Sequence, residues 1–195
     1  MSATPGKLLV ISGPSGSGKS TIINKLRTHP LVSVSVSVAT RTPRAGEVDG
    51  TDYHFVTVER FRAQHAAGEF VETNDVFANG NLYGSLRSEL DKALQRDGRV
   101  YIMEVDVDGA HNIREAGYDG GTYVFIEVPR EELEQRLRGR QTDDEAEIAR
   151  RLGRADDEAR RAREHAGTTI IPNHNVDDAV EAILDLVDLA PPSHA

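Results

Sequence analysis

The sequence contains no cysteine, and this absence excludes a disulfide framework, a cysteine-ligated metal site and thiol chemistry. It also lacks any apolar run approaching the ~18–20 residues of a membrane-spanning helix. Its first residues, 1–6, carry neither the basic start nor the apolar stretch of a secretory signal. We therefore expect a cytoplasmic protein with no membrane partner.

Positive charge is in deficit, because 23 Lys and Arg stand against 32 Asp and Glu for a formal net charge of −9. Non-specific binding to nucleic acids or anionic membranes depends on a basic surface. We therefore expect no nucleic-acid partner, and any anion that the chain binds must be held by a local site.

The size and composition predict one soluble globular domain, since 195 residues with 38% apolar and 28% charged side chains are enough to bury a sizeable core. Apolar runs that are typical of strands alternate with helical patterns along most of the chain. The predicted strands are 7–12, 31–38, 100–105, 122–128 and 168–171. Repeated strand–helix units predict an α/β fold with a parallel sheet covered on both faces.

Two stretches need separate interpretation. Residues 31–38 alternate Val and Ser, which predicts one strand with a polar face. From 39 to about 90 the chain changes to short segments rich in Arg, Gly, Asp and Asn, which we interpret as an inserted lobe. Near the end of this stretch, Ser85 is predicted to cap the helix that follows.

A phosphate-binding loop follows the first predicted strand, where eight consecutive residues match G-x-x-x-x-G-K-[ST]. They are Gly13, Pro14, Ser15, Gly16, Ser17, Gly18, Lys19 and Ser20. The glycines let backbone N–H groups surround phosphate oxygens, and the next helix adds its positive dipole end. Lys19 is expected to reach the β- and γ-phosphates, and the Ser20 hydroxyl to bind Mg²⁺. The alternative is a glycine-rich surface turn, which the spacing and both flanks disfavour.

An acidic pair, Glu104 and Asp106, stands at the end of predicted strand 100–105. Alternate residues of a strand point to the same side, so both carboxylates are candidates to face the phosphate loop. The alternative for either one is a plain edge residue. Asp108 precedes Gly109 and is interpreted as a turn or helix-cap residue.

A second cationic cluster contains Arg41 and Arg44 on a loop stiffened by Pro and Gly, with Tyr53 following. Arginine offers a planar fork of donors suited to a phosphate, and a tyrosine hydroxyl can complete the set. In an acidic protein this pattern suggests a second phosphate-bearing substrate. From these residues alone, the alternative is a solvated basic loop.

Together these segments resemble the guanylate kinase family, enzymes that move the γ-phosphoryl group of ATP to GMP. The resemblance extends over roughly Gly6 to Leu189. Besides the phosphate loop and the acidic strand end, the matching segments are residues 37–55, 69–72, 80–85, 136–140, 148–151 and 171–173. It implies a P-loop nucleoside-monophosphate-kinase-like parallel sheet core with an inserted lobe and a lid. The implied divisions are 1–38, 92–137 and 153–195 for the core, 39–91 for the GMP-binding lobe and 138–152 for the lid. It also implies ATP and GMP or dGMP as substrates, with Mg²⁺ accompanying ATP.

The resemblance implies roles for individual residues in three groups. The catalytic cations would be Lys19, Arg136, Arg140 and Arg151. ATP would be bound by the phosphate loop, with Asn173 on the adenine side. For GMP, the phosphate would contact Arg41, Arg44, Tyr53 and Tyr83, while guanine would contact Ser37, Glu72 and Ser85, with Glu104 and Asp106 nearby. Asp106 is also a second candidate for Mg²⁺. The alternatives are a salt-bridged helix face for the lid arginines and a loop cap for Asn173.

Guanine chemistry agrees with the role that the resemblance implies for Glu72. An ionised carboxylate accepts from the N1–H and the exocyclic amine of guanine, and a hydroxyl donates to O6. Adenine lacks that donor pair, and sites built on such polar contacts discriminate by up to ~10⁴–10⁵-fold. From spacing alone, Glu72 would be interpreted as a surface helix carboxylate.

The chain departs from the usual family pattern at several positions, which bear on affinity and rate more than on reaction type. They are Ala39, Glu104, Asp108, Gln141 and an apparent two-residue insertion, Ala78-Asn79. Two other functions stay open: a related P-loop kinase with a different phosphorylated acceptor, and a non-catalytic guanylate-kinase-like binding module. The intact Lys19 and Ser20 argue against the binding module.

Overall fold

A parallel five-stranded sheet forms the core of the protein, whose computed structural model describes residues 6–44, 46–75, 80–94, 98–139 and 144–190. Its strands are β1 (Lys7–Ser12), β2 (Val32–Val34), β7 (Val100–Glu104), β8 (Thr122–Glu127) and β9 (Thr168–Pro172). They run in the order β2-β7-β1-β8-β9, and every neighbouring pair is parallel. The predicted α/β class is confirmed.

Helices cover both faces of this sheet. They are α1 (Lys19–Leu26), α3 (Arg87–Leu94), α4 (Val107–Ile113), α5 (Arg130–Gly139), α6 (Glu145–Glu164) and α7 (Val176–Leu186), and a π-helical turn at Arg114–Tyr118 continues α4. On one face, Ile22 of α1 and Ile183 of α7 pack against the sheet. On the other face, Leu90 of α3 and Ile113 of α4 do so. Because β1 lies between these two layers, five of its six residues are buried.

A second sheet of four strands forms the lobe. Its strands are β3 (Ser37–Ala39), β4 (Tyr53–Phe55), β5 (Phe70–Asp75) and β6 (Leu82–Leu86), in the order β4-β3-β6-β5. Helix α2 (Val58–Ala66) covers this sheet. Thr57 caps the start of α2, since its side chain accepts a hydrogen bond from the Arg60 N–H at 3.2 Å. Phe61 stacks on Phe70 with ring centroids 4.5 Å apart, so the lobe has a small core of its own.

Two predicted elements of this region are wrong. The Val/Ser run is not one strand, because β2 pairs with β7 in the core sheet whereas β3 pairs with β4 and β6 in the lobe sheet. Ser85 is not a helix cap either, since it lies inside β6 and pairs with Glu72 of β5. In both cases the local pattern does not decide the element, because the strand partner comes from a distant segment of the sequence.

The predicted lid, residues 138–152, overlaps the end of α5 and the start of α6. These two helices share an apolar contact that includes Leu137 and Ile148. Asp144 begins α6 by accepting a hydrogen bond from the Glu147 N–H at 2.8 Å. Arg140 and Gln141 lie outside the described residues, as does the Ala78-Asn79 insertion. Among the helices that the structure describes, none has the length and apolar character needed to cross a membrane.

Candidate active site

The phosphate loop lies between β1 and α1 at the carboxyl edge of the core sheet, where parallel α/β sheets bind ligands. Gly13, Gly16 and Gly18 have φ values of 147°, 94° and 90°, a backbone conformation that other residues rarely adopt. A Cβ at Gly13 would lie 2.6 Å from the carbonyl oxygen of Ile126 on β8. The loop shape therefore depends on these glycines, as the motif predicts.

The Lys19 side chain folds back over this loop. Its Nζ donates to the carbonyl oxygens of Gly13 at 2.5 Å and Pro14 at 3.1 Å. The ammonium is thus held beside the loop that would surround a polyphosphate, and phosphate oxygens are stronger, charged acceptors than these carbonyls.

Arg151 reaches the tip of the phosphate loop from α6. Its Nη1 donates to the Ser15 Oγ at 2.9 Å, and its Nε donates to Glu147 Oε1 at 2.9 Å. Arg151 therefore joins α6 to the phosphate loop, and its guanidinium lies beside Ser15 of that loop.

Arg136 and Asn173 brace the other side of the loop. Arg136 donates to the carbonyl oxygens of Ser17 at 3.2 Å and Asn173 at 2.8 Å, and its Nη2 also pairs with Glu132 at 2.5 Å. The fully buried Asn173 side chain donates from Nδ2 to the Ser17 carbonyl at 2.6 Å. Arg136 thus lies beside Asn173, on the predicted adenine side, and its guanidinium is engaged by backbone carbonyls.

The acidic pair does not share one strand, contrary to the prediction. Strand β7 ends at Glu104, whose Oε1 lies 3.5 Å from the Ser20 Oγ. Asp106 instead begins α4, since its Oδ1 accepts from the Gly109 N–H at 2.8 Å. Its Oδ2 accepts a hydrogen bond from Asn74 of the lobe. Glu104 therefore ends a strand and Asp106 begins a helix, so the alternation expected within one strand does not apply to this pair.

Asp108, predicted as a cap, lies in the first turn of α4 and pairs with Arg161 of α6. This pairing holds the pKa of Asp108 below its usual value, with the hydrogen bond to Arg161 as the main cause. The capping role belongs to Asp106 because only its backbone leaves the helix in an extended conformation.

The lobe gathers an aromatic and cationic group around Arg41. The Arg41 guanidinium lies 5.0 Å from the centroid of the Tyr53 ring. The Tyr53 and Tyr83 rings pack edge to face, with their centroids 6.0 Å apart. Burial raises the pKa of Tyr53. Ser37 is paired with Tyr53 across β3 and β4. Ser37, Tyr53 and Tyr83 therefore lie in neighbouring strands of the lobe sheet. Arg41 lies just after β3 beside Tyr53, whereas Arg44 lies on the exposed loop that follows Arg41.

Glu72 and Ser85 form a buried polar pair on β5 and β6. The Ser85 Oγ donates to Glu72 Oε1 at 2.6 Å, and the two residues are only 8% and 2% exposed. Burial raises the pKa of Glu72 to about 7, and the negative charge of Asp106 contributes to this. A carboxylate that is buried with a serine as its hydrogen-bond partner is disfavoured in its charged form, which makes the pair a candidate for ligand binding.

This burial predicts a pH-dependent effect of Glu72→Gln on stability. An acid whose pKa rises on folding stabilises the fold while protonated, so wild-type stability falls as pH increases from about 4.5 through about 7. The substituted glutamine keeps an acceptor for Ser85 but has no charge. We expect the difference in Tm, variant minus wild type, to increase in favour of the variant by roughly 5 °C between pH 5 and pH 8. A Tm difference that is the same at both pH values, measured by thermal denaturation, would contradict the raised pKa.

The chain is similar to known proteins over most of its length. A family model described as guanylate kinase matches residues 5–189. The chain is 51% identical over 161 residues to a guanylate kinase of Nitratidesulfovibrio vulgaris, which covers 81% of this chain and 75% of that relative. It is 46% identical over 162 residues to a guanylate kinase of Thermosynechococcus vestitus, covering 82% of this chain and 83% of that relative.

The chain belongs to the guanylate kinase family. Among solved structures, the guanylate kinase from Anaplasma phagocytophilum superposes with a TM-score of 0.73 at 28% identity, over 96% of this chain and 87% of that chain. A sugar kinase from Janibacter sp. superposes at a TM-score of 0.53 and 15% identity, over 96% of this chain and 97% of that chain, and shares the fold alone.

Sequence reasoning missed three residues that contact the site predicted from this family. Glu47 binds Arg41 through both carboxylate oxygens. Asn74 joins the lobe to Asp106 across 32 positions of sequence, so no local pattern reveals it. Gly109 lies so near Glu72 that a Cβ there would be 3.1 Å from Glu72 Oε2. Of these three residues, only Gly109 has a local sequence signal, which is the Asp-x-x-Gly spacing from Asp106.

Proposed function

We propose that this member of the guanylate kinase family transfers the γ-phosphoryl group of ATP to GMP or dGMP, with ADP and GDP or dGDP as products. The buried Glu72–Ser85 pair carries the proposal, because it supplies an acceptor for two neighbouring donors and a hydroxyl beside it. Guanine presents this combination of donors and acceptor, whereas adenine, cytosine and uracil do not.

On the ATP side, we assign the phosphates to the backbone of Gly13–Ser20 and the ammonium of Lys19. Support comes from the left-handed glycines and from the position of Lys19 on the loop carbonyls. Asn173 and Arg136 are assigned to the adenine end, because both lie against the Ser17 carbonyl on the far side of the loop.

On the GMP side, we assign the phosphate to Arg41, Tyr53 and Tyr83, with Arg44 joining from its exposed loop. Support comes from two contacts, since the Arg41 guanidinium lies 5.0 Å from the Tyr53 ring centroid and the Tyr53 and Tyr83 ring centroids are 6.0 Å apart. Guanine is assigned to Glu72, Ser85 and Ser37. Glu104 and Asp106 lie where the lobe meets the core, between these two groups and the phosphate loop.

The divalent ion that ATP-dependent kinases generally require is assigned to Ser20 and Glu104. Their oxygens lie 3.5 Å apart, and hydroxyl and carboxylate oxygens are donors that suit Mg²⁺. We favour Glu104 over Asp106, because both oxygens of Asp106 already accept hydrogen bonds, one from Gly109 and one from Asn74. Within the described ranges no group of three or more His, Asp or Glu side chains could hold a metal, which fits an ion held mainly by the nucleotide. When bound, Mg²⁺ neutralises charge on the phosphates.

In the proposed reaction, a phosphate oxygen of GMP forms a bond to the γ-phosphorus of ATP, and the bond from that phosphorus to the β-phosphate oxygen breaks. No nucleophilic side chain is required, since the protein contributes position and electrostatic stabilisation. Lys19 and Arg151 stabilise the charge on the transferring group, and Arg136 fixes the loop. Arg140 remains a proposed lid cation.

A coupled assay of ADP release with ATP and Mg²⁺ tests this function across GMP, dGMP, AMP, CMP and UMP. We expect turnover with GMP and dGMP, and kcat/KM values at least ~10²-fold lower for the other acceptors, because the buried polar pair is left unmatched by them. If GMP releases no more ADP than the blank, the proposed activity is wrong. If a different monophosphate is preferred, the acceptor assignment is wrong.

A further inference from the structure

Glu47 makes the most extensive contacts to Arg41 of any described side chain. Its Oε1 accepts from Arg41 Nη2 at 2.6 Å, and its Oε2 accepts from Arg41 Nη1 at 2.5 Å. This is the bidentate arrangement in which a guanidinium and a carboxylate bind most specifically. Two contacts fix the orientation of the guanidinium plane, whereas an arginine side chain without them would be free to rotate.

Glu47 is also anchored to the loop independently of Arg41. Its Oε2 accepts from the Arg44 N–H at 2.7 Å, while its own N–H donates to the Arg44 carbonyl at 3.1 Å. Gly46, between them, has a φ of 90°, which permits the tight turn. Two reciprocal hydrogen bonds therefore set the backbone of the loop from which the second arginine projects.

Other residues also contact the Arg41 side chain, which is only 10% exposed. Its guanidinium lies 5.0 Å from the Tyr53 ring centroid and 5.4 Å from that of Phe55, and Nη1 also donates to the Thr42 carbonyl at 3.1 Å. A guanidinium has five N–H donors. Glu47 and Thr42 account for three, which leaves the Nε–H and one Nη2–H, and Tyr83 also interacts with Arg41.

We propose that Glu47 is a positioning residue of the GMP-phosphate site, which fixes the guanidinium of Arg41 and the turn at Arg44 so that the acceptor phosphate meets pre-oriented donors. This rests on the proposed function, because it assumes that the phosphate bound by Arg41 belongs to GMP. Pre-orientation lowers the entropy lost on binding. Glu47 acts through the arginines and does not itself contact the substrate.

A competing interpretation makes Glu47 an internal anion that occupies Arg41 until a phosphate displaces it. The bonds to Arg44 disfavour this, since the carboxylate remains anchored to the loop even without Arg41. The two interpretations predict opposite changes. A positioning residue improves phosphate binding, whereas a competitor weakens it.

The test compares Glu47→Gln with wild type in the ADP-release assay and in calorimetric titrations with GMP and with guanosine. We expect KM and Kd for GMP to increase about 10-fold, the loss of one charge-assisted interaction, with kcat within about twofold. The KM for ATP and the Kd for guanosine should not change, because guanosine has no phosphate. Glu47→Asp, which keeps the charge on a shorter side chain, should recover part of the GMP affinity.

Glu59→Gln is the matched control, since it removes one exposed carboxylate from the same lobe while glutamine still suits that helix position. Its KM for GMP should equal that of wild type. An unchanged or lower KM for GMP in Glu47→Gln would overturn the positioning role, and equal losses for GMP and guanosine would reduce Glu47 to a structural residue of the lobe. Failure of wild type to use GMP would instead overturn the proposed function, so the two failures are distinguishable.

Discussion

Lys19→Met is expected to lower kcat for phosphoryl transfer by about 10²–10³-fold, the usual effect of removing one donor that stabilises transition-state charge. Methionine approximates the length of lysine but has no charge. The wild-type ammonium lies on the Gly13 and Pro14 carbonyls, beside the loop assigned to the polyphosphate. Its loss removes the cation from that loop and leaves the glycine geometry intact. The measurement is kcat in the coupled ADP-release assay.

Lys25→Met provides the control for this prediction. Lys25 lies further along the same helix α1, is exposed and forms a surface ion pair with Asp177. Surface pairs contribute little to stability, so this variant should have wild-type kcat. Circular dichroism and the Kd for GMP should match wild type for both variants. A Lys19→Met enzyme with more than a tenth of wild-type kcat would show that the cation is not needed for transfer.

Glu72→Gln is expected to lower kcat/KM for GMP by about 10²–10³-fold while leaving the low value for AMP nearly unchanged. The glutamine amide presents two donors toward guanine, whose N1–H and amine are donors themselves. Because the pair with Ser85 is buried, the mismatch is not relieved by water. The preference for GMP over AMP should therefore fall by the same factor, and the KM for ATP should not change.

The pH profile separates this role from a general defect. Burial raises the pKa of Glu72 to about 7, and guanine requires the ionised carboxylate. In wild type the Kd for guanosine, which has no titrating phosphate, should therefore increase by up to about tenfold per pH unit below 7. In Glu72→Gln this dependence should disappear. Equal loss of GMP and AMP turnover, or a pH profile that persists in the variant, would remove Glu72 from guanine recognition.

The phosphate loop was predictable in detail because all its parts are adjacent in sequence. Eight consecutive residues contain the glycines with unusual φ, the lysine and the hydroxyl, and the flanking strand and helix follow from local apolar patterns. The parallel core was predictable for a similar reason, since buried strands in such sheets are continuous apolar runs. The strand at 168–172 and the helix after it likewise agree with their patterns.

The lobe was less predictable because its sheet pairs short strands of mixed polarity. Residues 32–39 divide between two sheets, and Ser85 belongs to a strand rather than to a helix cap. A three-residue strand has too few side chains for its pattern to specify a partner. Which strand it pairs with depends on packing, here on Val38, Phe61 and Phe70.

By itself, the sequence determined the fold class, the phosphate loop and the family resemblance with its candidate residues. Only the tertiary structure decided which of those residues meet. In the fold, Glu72 is hydrogen-bonded to Ser85, Arg41 to Glu47 and Asp106 to Asn74. Glu104 ends a strand, whereas Asp106 caps the next helix. The physical reason is that a phosphate loop is held by local backbone geometry, whereas a buried carboxylate or a fixed guanidinium depends on strand register and on partners from distant segments.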